Sequence, residues 1–297
     1  MEKTNRVNKI RKKITIAQVL VLAFLLLYTV VLLTPLFWGI TASLNEDMIV
    51  LEVKMFGFPD DPYFENYTNA FQTLYIEMTE FERLPAYLDE LMLNSLLYAV
   101  VSALVSTTTI YVVAYARSRF NFAFLKVLDV IVLVTMALPI VGSLPSQIMI
   151  FKKLGLIDNF IGMTVIAKMN FLGMYYFVVA TAIRGIPMAF SEAAEIDGAS
   201  ELQVMLRVIF PLTFSIYFTI FIINFINMWN DWQTPYIFLS NFPTATYALW
   251  VFKDKTTFEL PQKLAGCILV VLPILLIFVI FHKRLMGGIS LSEGVKE

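Results

Sequence analysis

Few side chains in this chain can carry covalent or metal chemistry. There is one histidine, His282, beside Lys283 and Arg284, and one cysteine, Cys267, inside an apolar run. An intrachain disulfide, a Cys/Cys metal set and a multi-His site are therefore excluded. No Gly-x-x-x-x-Gly-Lys-Ser/Thr phosphate loop occurs, so the chain lacks the ATP site that this motif would provide. What remains is recognition chemistry in an apolar setting. Lys168 falls in a hydrophobic stretch, and a charge at membrane depth costs about 2.5–3.5 kcal/mol on insertion scales. Three arrangements relieve that cost: a polar translocation path with Asn170 nearby, a stem that carries the ammonium to an interface, or a carboxylate on another subunit. Asn224, Asn227, Asn230 and Asp231 recur at spacings of three to four and share a helix face, with Trp229 and Trp232 beside them. Amides and aromatics suit sugar hydroxyls, so Asn227, Trp229, Asn230, Asp231 and Trp232 are candidates to line or gate a pathway. The competing role is hydrogen bonding between helices, worth on the order of 1 kcal/mol, and it is the better reading for Asn224. Ser102, Ser106 and Thr107 read as close-packing residues, and Asp129 as the local ion-pair partner of Lys126.

These residues sit in a chain of 297 residues that is 59% hydrophobic and 15% charged, with a mean hydropathy of +0.75. Soluble domains are about 25% charged, so water is not the main solvent here. The net charge of -1 suggests no nucleic-acid surface. The pattern predicts an all-α, polytopic membrane protein. A membrane-crossing helix needs about 20 mainly apolar residues, and six stretches qualify: Ile16 to Ile40, Leu93 to Ala116, Leu125 to Leu144, Phe160 to Ile183, Ile209 to Met228 and Leu264 to Phe281. The first is too long, and lacks the small-residue cleavage pattern, for a removable signal peptide. Pro35 and Pro139 fall inside spans, where neighbouring helices can re-satisfy the freed carbonyls.

Basic residues collect in cytoplasmic loops. Lys3, Arg6, Lys9, Arg11, Lys12 and Lys13 precede the first span, whereas 41–92 offers only Lys54 and Arg83 against acids including Asp47, Asp60, Asp61, Glu77, Glu80, Glu82 and Asp89. That segment is therefore assigned outside and both termini inside, with Arg117, Arg119, Arg184 and Arg207 also inside. Lys152 and Lys153 fall outside as a mild exception. The organisation expected is a basic cytoplasmic N-terminus (1–15), a first transmembrane helix (16–40) and an extracytoplasmic segment (41–92) that caps the bundle or docks a partner. A five-helix core (93–285) with a cytoplasmic loop at 184–208 and a cytoplasmic tail (286–297) follow. Ser146 to Asn159 is too polar to cross but carries Ile148, Phe151 and Leu154 at helical spacing, so an interfacial helix is expected there.

The stretch Gly185 to Leu212 predicts a helix-turn-helix knob. Ser191 is placed as the cap of a short helix holding Ala193, Ala194 and Ile196, and Asp197-Gly198 as the turn. Leu202, Met205, Leu206 and Ile209 then give a second helix, and Pro211 starts the next span. Glu192-Ala193-Ala194, Gly198, Val208 and Pro211 match the spacing of the signature loop of ATP-binding-cassette importer permeases, with Phe210 replacing the usual leucine. Asp197 to Ala199, Trp229 to Asp231, Asn94-Ser95, Ala114-Tyr115-Ala116, Leu154-Gly155-Leu156 and Gly294-Val295-Lys296 extend the resemblance over nearly the whole chain, closest to the carbohydrate-import branch.

That resemblance implies a bacterial inner-membrane permease without its own ATPase activity. Its partners would be a second homologous permease, two ATP-binding-cassette subunits, an external solute-binding protein and membrane lipid, with ATP and Mg held by the ATPases and no cofactor in this chain. It also implies that Glu192, Ala193, Ala194, Asp197, Gly198, Ala199 and Pro211 form a coupling element seated on an ATPase, and that the tail Ser290 to Glu297 reaches the same interface. A secondary active transporter of a small polar solute is the alternative, and it would need repeat-related broken helices.

Overall fold

The computed structural model describes residues 15–53, 57–78, 84–138, 142–255 and 258–290, and the described residues are almost entirely helical. The basic residues before the first span, Lys54, Glu80, Glu82, Arg83, Pro139 and the tail after Ser290 lie outside them. Four helices are long and apolar enough to cross a bilayer: α1 (Ile16–Ser43), α4 (Leu88–Arg119), the run Glu201–Trp229, and the last helix within Leu260–His282. They coincide with the first, second, fifth and sixth expected spans. Between α1 and α4 lie two short helices, α2 (Met48–Val53) and α3 (Glu65–Thr73).

The third and fourth expected spans are realised differently. α5 (Ala123–Ala137) stops short of Leu144, and Leu138 is extended (ψ 120°), as the residue before a proline prefers to be. A separate helix, α6 (Leu144–Lys153), follows where an interfacial helix was expected. The stretch Phe160 to Ile183 is not one helix. A π-helical turn at Gly162–Ile166 ends near Lys168, the chain is irregular to Gly173 (φ +146°), and α7 runs only from Met174 to Arg184. Eleven helical residues cover about 16 Å, so α7 alone cannot cross a hydrocarbon core of about 30 Å.

The knob follows as α8 (Ala189–Ile196) and α9 (Glu201–Gln203), joined through a π-helical stretch, Val204–Ile209, to α10 (Phe210–Trp229). The widened turn immediately precedes Pro211. A proline ring clashes with the carbonyl four residues back and leaves it without a donor, so a local change of helical pitch at this place has a steric cause. α11 (Gln233–Phe238), α12 (Ala245–Phe252) and α13 (Leu260–Ser290) complete the chain.

The core is built on α4, which packs most extensively against α10 and α7. Ala99 and Ala103 are fully buried against Phe225 and Trp229, and the small side chains let the two helices approach closely. Ser102, Ser106 and Thr107 are buried as well, as close-packing residues are, and Asn224 Nδ2 of α10 donates to Thr107 Oγ1 at 2.9 Å. At the knob end Asp129 of α5 does not pair with exposed Lys126. It accepts from Arg117 Nε of α4 at 2.8 Å and from Tyr176 Oη of α7 at 2.7 Å, tying three helices together. Local spacing favoured Lys126, but a buried tyrosine and an arginine from a packed neighbour offer the carboxylate better-fixed donors.

At the opposite end α3 packs against α13, and Asn66 Nδ2 closes on the carbonyls of Ser43 and Asn45. The segment before α4 thereby covers the bundle end. α1 remains exposed along its apolar length.

Candidate functional site

Two groups of residues stand along α4, one at Tyr98, about a third of the way from its start, and one at its end. At the far end, α10 ends at Trp229 and the chain turns through Asn230 and Asp231 into α11. Asp231 Oδ2 accepts from Tyr98 Oη at 2.7 Å and from Lys168 Nζ at 3.2 Å, while Oδ1 accepts from the Thr234 amide at 3.0 Å. Lys168 thus finds its carboxylate within the same chain, at the break in the fourth expected span. Its ammonium also lies 5.5 Å from the centre of the Tyr98 ring. Burial pushes the Asp231 carboxyl up, but the Lys168 charge and the hydrogen bonds from Thr234 and Tyr98 outweigh it, and the group is held below its ordinary value.

The remaining candidates of this group separate. Trp229 is buried, and its indole N–H donates to Val270 O at 3.3 Å, so it packs rather than faces open space. Asn224 points into α4, whereas Asn227 and Asn230 are exposed, and Asn230 Nδ2 bonds back to Ile226 O. Asn170 is exposed and accepts from the Leu172 amide at 2.8 Å, which shapes the break. Trp232 stacks on Trp250 with ring centres 3.7 Å apart and planes 11° apart, and Lys253 Nζ covers Trp250 at 3.3 Å. Tyr98 and Trp250 had no sequence signal. Their partners are remote in the chain, and only the fold brings them together.

At the other end stands the knob. α8 begins at Ala189, after Pro187, with Met188 in the cap position, so Ser191 does not cap it. Ser191 instead lies inside the helix, buried, with its hydroxyl unpaired among the described residues. Glu192 and Ala193 are exposed, and Ala194 and Ala199 lean partly onto the core cluster around Tyr115 and Ile183. The turn is as expected. Asp197 ends the helix, Gly198 adopts φ +84°, and the amides of Gly198 and Ala199 return to the carbonyls of Glu195 and Ala194. Ser200 and Gln203 then form a capping box for α9. Of the apolar positions expected to anchor the second helix, Met205 and Ile209 are buried while Leu202 and Leu206 are exposed. Pro211 is exposed in the first turn of α10. Ile196, 86% exposed, stands at the end of α8, and Met188 and Phe190 are exposed at its start.

A model of the family described as "Binding-protein-dependent transport system inner membrane component" matches residues 106–290, which contain the knob-side part of α4, the whole knob and the last two of the four long apolar helices. The chain belongs to this family. The permease is 24% identical over 273 residues to the diacetylchitobiose uptake system permease protein of Streptomyces coelicolor, covering 90% of this chain and 86% of that one. It is 23% identical over 266 residues to the sulfoquinovosyl glycerol transport system permease protein of Agrobacterium fabrum, with 89% of each chain covered. To the sn-glycerol-3-phosphate transport system permease protein of Salmonella typhimurium it is 24% identical over 277 residues, covering 91% and 94%. Its fold matches a chain in the crystal structure of a bacterial ABC transporter involved in the import of the acidic polysaccharide alginate, with a TM-score of 0.71 at 20% identity over 90% of the permease and 96% of that chain.

Proposed function

We propose that this permease forms half of the translocation pathway of an ATP-driven importer for a carbohydrate or a related polyol derivative, working in a bacterial cytoplasmic membrane. The observation that carries the reading is the knob: exposed apolar residues at both ends of a short helix, Met188, Phe190 and Ile196, with Leu202 and Leu206 exposed after the positive-φ turn at Gly198. Apolar side chains gathered on one loop in this number mark an interaction surface. In this family the ATP site must come from another subunit, since the chain has no phosphate loop. Glu192, Ala193, Ala194, Asp197, Gly198 and Ala199 form the coupling element, and two ATPases holding ATP and Mg act on it and on its counterpart in a second, homologous permease. Both termini face the cytoplasm, and α5 with the broken segment before α7 completes a set of six crossings.

The named relatives serve diacetylchitobiose, sulfoquinovosyl glycerol and sn-glycerol 3-phosphate systems, which supports a polyhydroxylated substrate delivered by an external solute-binding protein. Asn227 and Asn230 offer amide groups on the exposed side of α10, and Trp232, half-buried against Trp250, an aromatic group at its far end, where such a substrate would pass. Lys168 and Asp231 neutralise one another at that mouth. Purifying the tagged chain from its native membrane in mild detergent tests the reading. A second permease and an ATPase should copurify, and Gly198→Val should abolish stimulated ATP hydrolysis while leaving assembly intact. A chain that purifies alone and transports in proteoliposomes without ATP would refute it.

A further inference from the structure

The last turn of α4 holds both feet of the knob. Tyr115 Oη donates to Glu201 Oε2 at 3.2 Å, where the chain re-enters the bundle through α9. Four residues on, the Arg119 guanidinium reaches the other foot. Nη1 lies 2.6 Å from Met188 Sδ, and Nη2 donates to the carbonyls of Ile183 and Ile186, each at 3.4 Å. Between these residues, Ser118 Oγ lies 2.7 Å from Ala114 O and 3.1 Å from Ala180 O, so one hydroxyl proton is shared between its own helix and α7. The entrance and exit of the coupling element are thus fastened to one helix end.

That helix is continuous from the knob to the far-end cluster. Its 32 residues make a rod of about 48 Å; about 31 Å of it separates Arg119 from Tyr98, which donates to Asp231, the partner of Lys168. The joint has no surplus of polar contacts. Of the four buried side-chain polar atoms without a hydrogen-bond partner among the described residues, two are found here, Arg119 Nε and Ser191 Oγ. Loss of the Tyr115 and Arg119 contacts should therefore loosen it.

We propose that α4 is the element through which displacement of the knob reaches the Lys168–Asp231 cluster, with Tyr115 and Arg119 as positioning residues that fix the knob to it. This rests on the importer reading above. Neither residue touches the ATPase or the substrate in this scheme. Their removal loosens the connection and leaves both ends in place.

The test uses the intact complex in lipid nanodiscs, in a Cys267→Ser background, with spin labels on Leu202→Cys in the knob and on Val112→Cys in α4 or Val279→Cys in α13. All three positions are exposed, and α13 packs mainly on α1, α3 and α10 rather than on α4. ATP with vanadate should leave the 202–112 distance unchanged and shift the 202–279 distance. In Tyr115→Phe with Arg119→Gln, the 202–112 distance should become nucleotide-dependent, and stimulation of ATP hydrolysis by the binding protein should fall about five-fold or more, the range of a real coupling energy. Subunit recovery and basal hydrolysis should persist, and Arg119→Lys, which keeps the charge without the fork, should lie between. A 202–112 distance that changes in the unsubstituted chain, a fixed 202–279 distance, or undiminished stimulation in the double variant would each overturn the proposal. Failure of any ATPase to copurify would instead overturn the importer reading.

Discussion

Lys168→Met removes the ammonium from Asp231 while leaving the carboxylate its bonds from Tyr98 and Thr234. The side chains of the pair are 16% and 21% exposed, so it is neither a solvated surface pair nor a sealed one. Exposed pairs contribute about 0–1 kcal/mol, and removing one partner of a buried pair costs about 3–5 kcal/mol. With two of its hydrogen bonds retained, Asp231 should lose an intermediate amount, about 2 kcal/mol. For a chain of 297 residues that corresponds to a fall in melting temperature of about 3 °C. Differential scanning fluorimetry of the chain in nanodiscs, run on Lys168→Met, Asp231→Asn and the double variant, reads both the loss and the coupling. The double variant should melt above the sum of the single losses, because no uncompensated charge remains, and coupling of neighbouring groups of this kind is about 0.5–3 kcal/mol. Strict additivity, or a Lys168→Met chain that melts with the unsubstituted one, would show that the pair is not formed and would remove it from the far-end cluster.

The same carboxylate predicts a pH dependence. Its folded pKa is depressed, so its stabilising effect is present above the ordinary carboxylate value of about 3.9 and is lost as pH falls through the lower folded value. The melting difference between the unsubstituted chain and Asp231→Asn should therefore hold from pH 5 to 8 and shrink below about pH 4. Asn224→Leu should cost on the order of 1 kcal/mol by removing the bond to Thr107, and a Thr107→Val background should abolish most of that loss in the same melting assay. Gly162→Val should destabilise by about 1–3 kcal/mol, because a Cβ there would meet Leu156 Cδ2 at 2.8 Å and the Asn159 side chain at 3.3 Å. Unchanged melting in that variant would place Leu156 elsewhere.

The sequence by itself determined a helical membrane protein, four of its long apolar helices within a few residues, and the knob with its turn at Gly198. Each of these follows from local physics. A run of about 20 apolar residues has only one low-energy solvent, and a glycine after a short helix supplies the positive φ that ends it. The sequence did not reveal that the stretch around Lys168 is broken. Its hydropathy is that of a span, and the irregular backbone there depends on Asp231 and Tyr98, remote in the chain, to hold the ammonium. Spacing also misassigned Asp129 to Lys126 and Ser191 to a cap. Nearest neighbours along a helix are only the default partners, and packing α4 and α7 against α5 brought better donors to Asp129, while Pro187 moved the start of α8 ahead of Ser191. Tertiary structure alone decided which polar residues are partnered within the bundle and which are left facing outward. A side chain's exposure depends on what its helix packs against, and periodicity fixes a face without saying what that face meets.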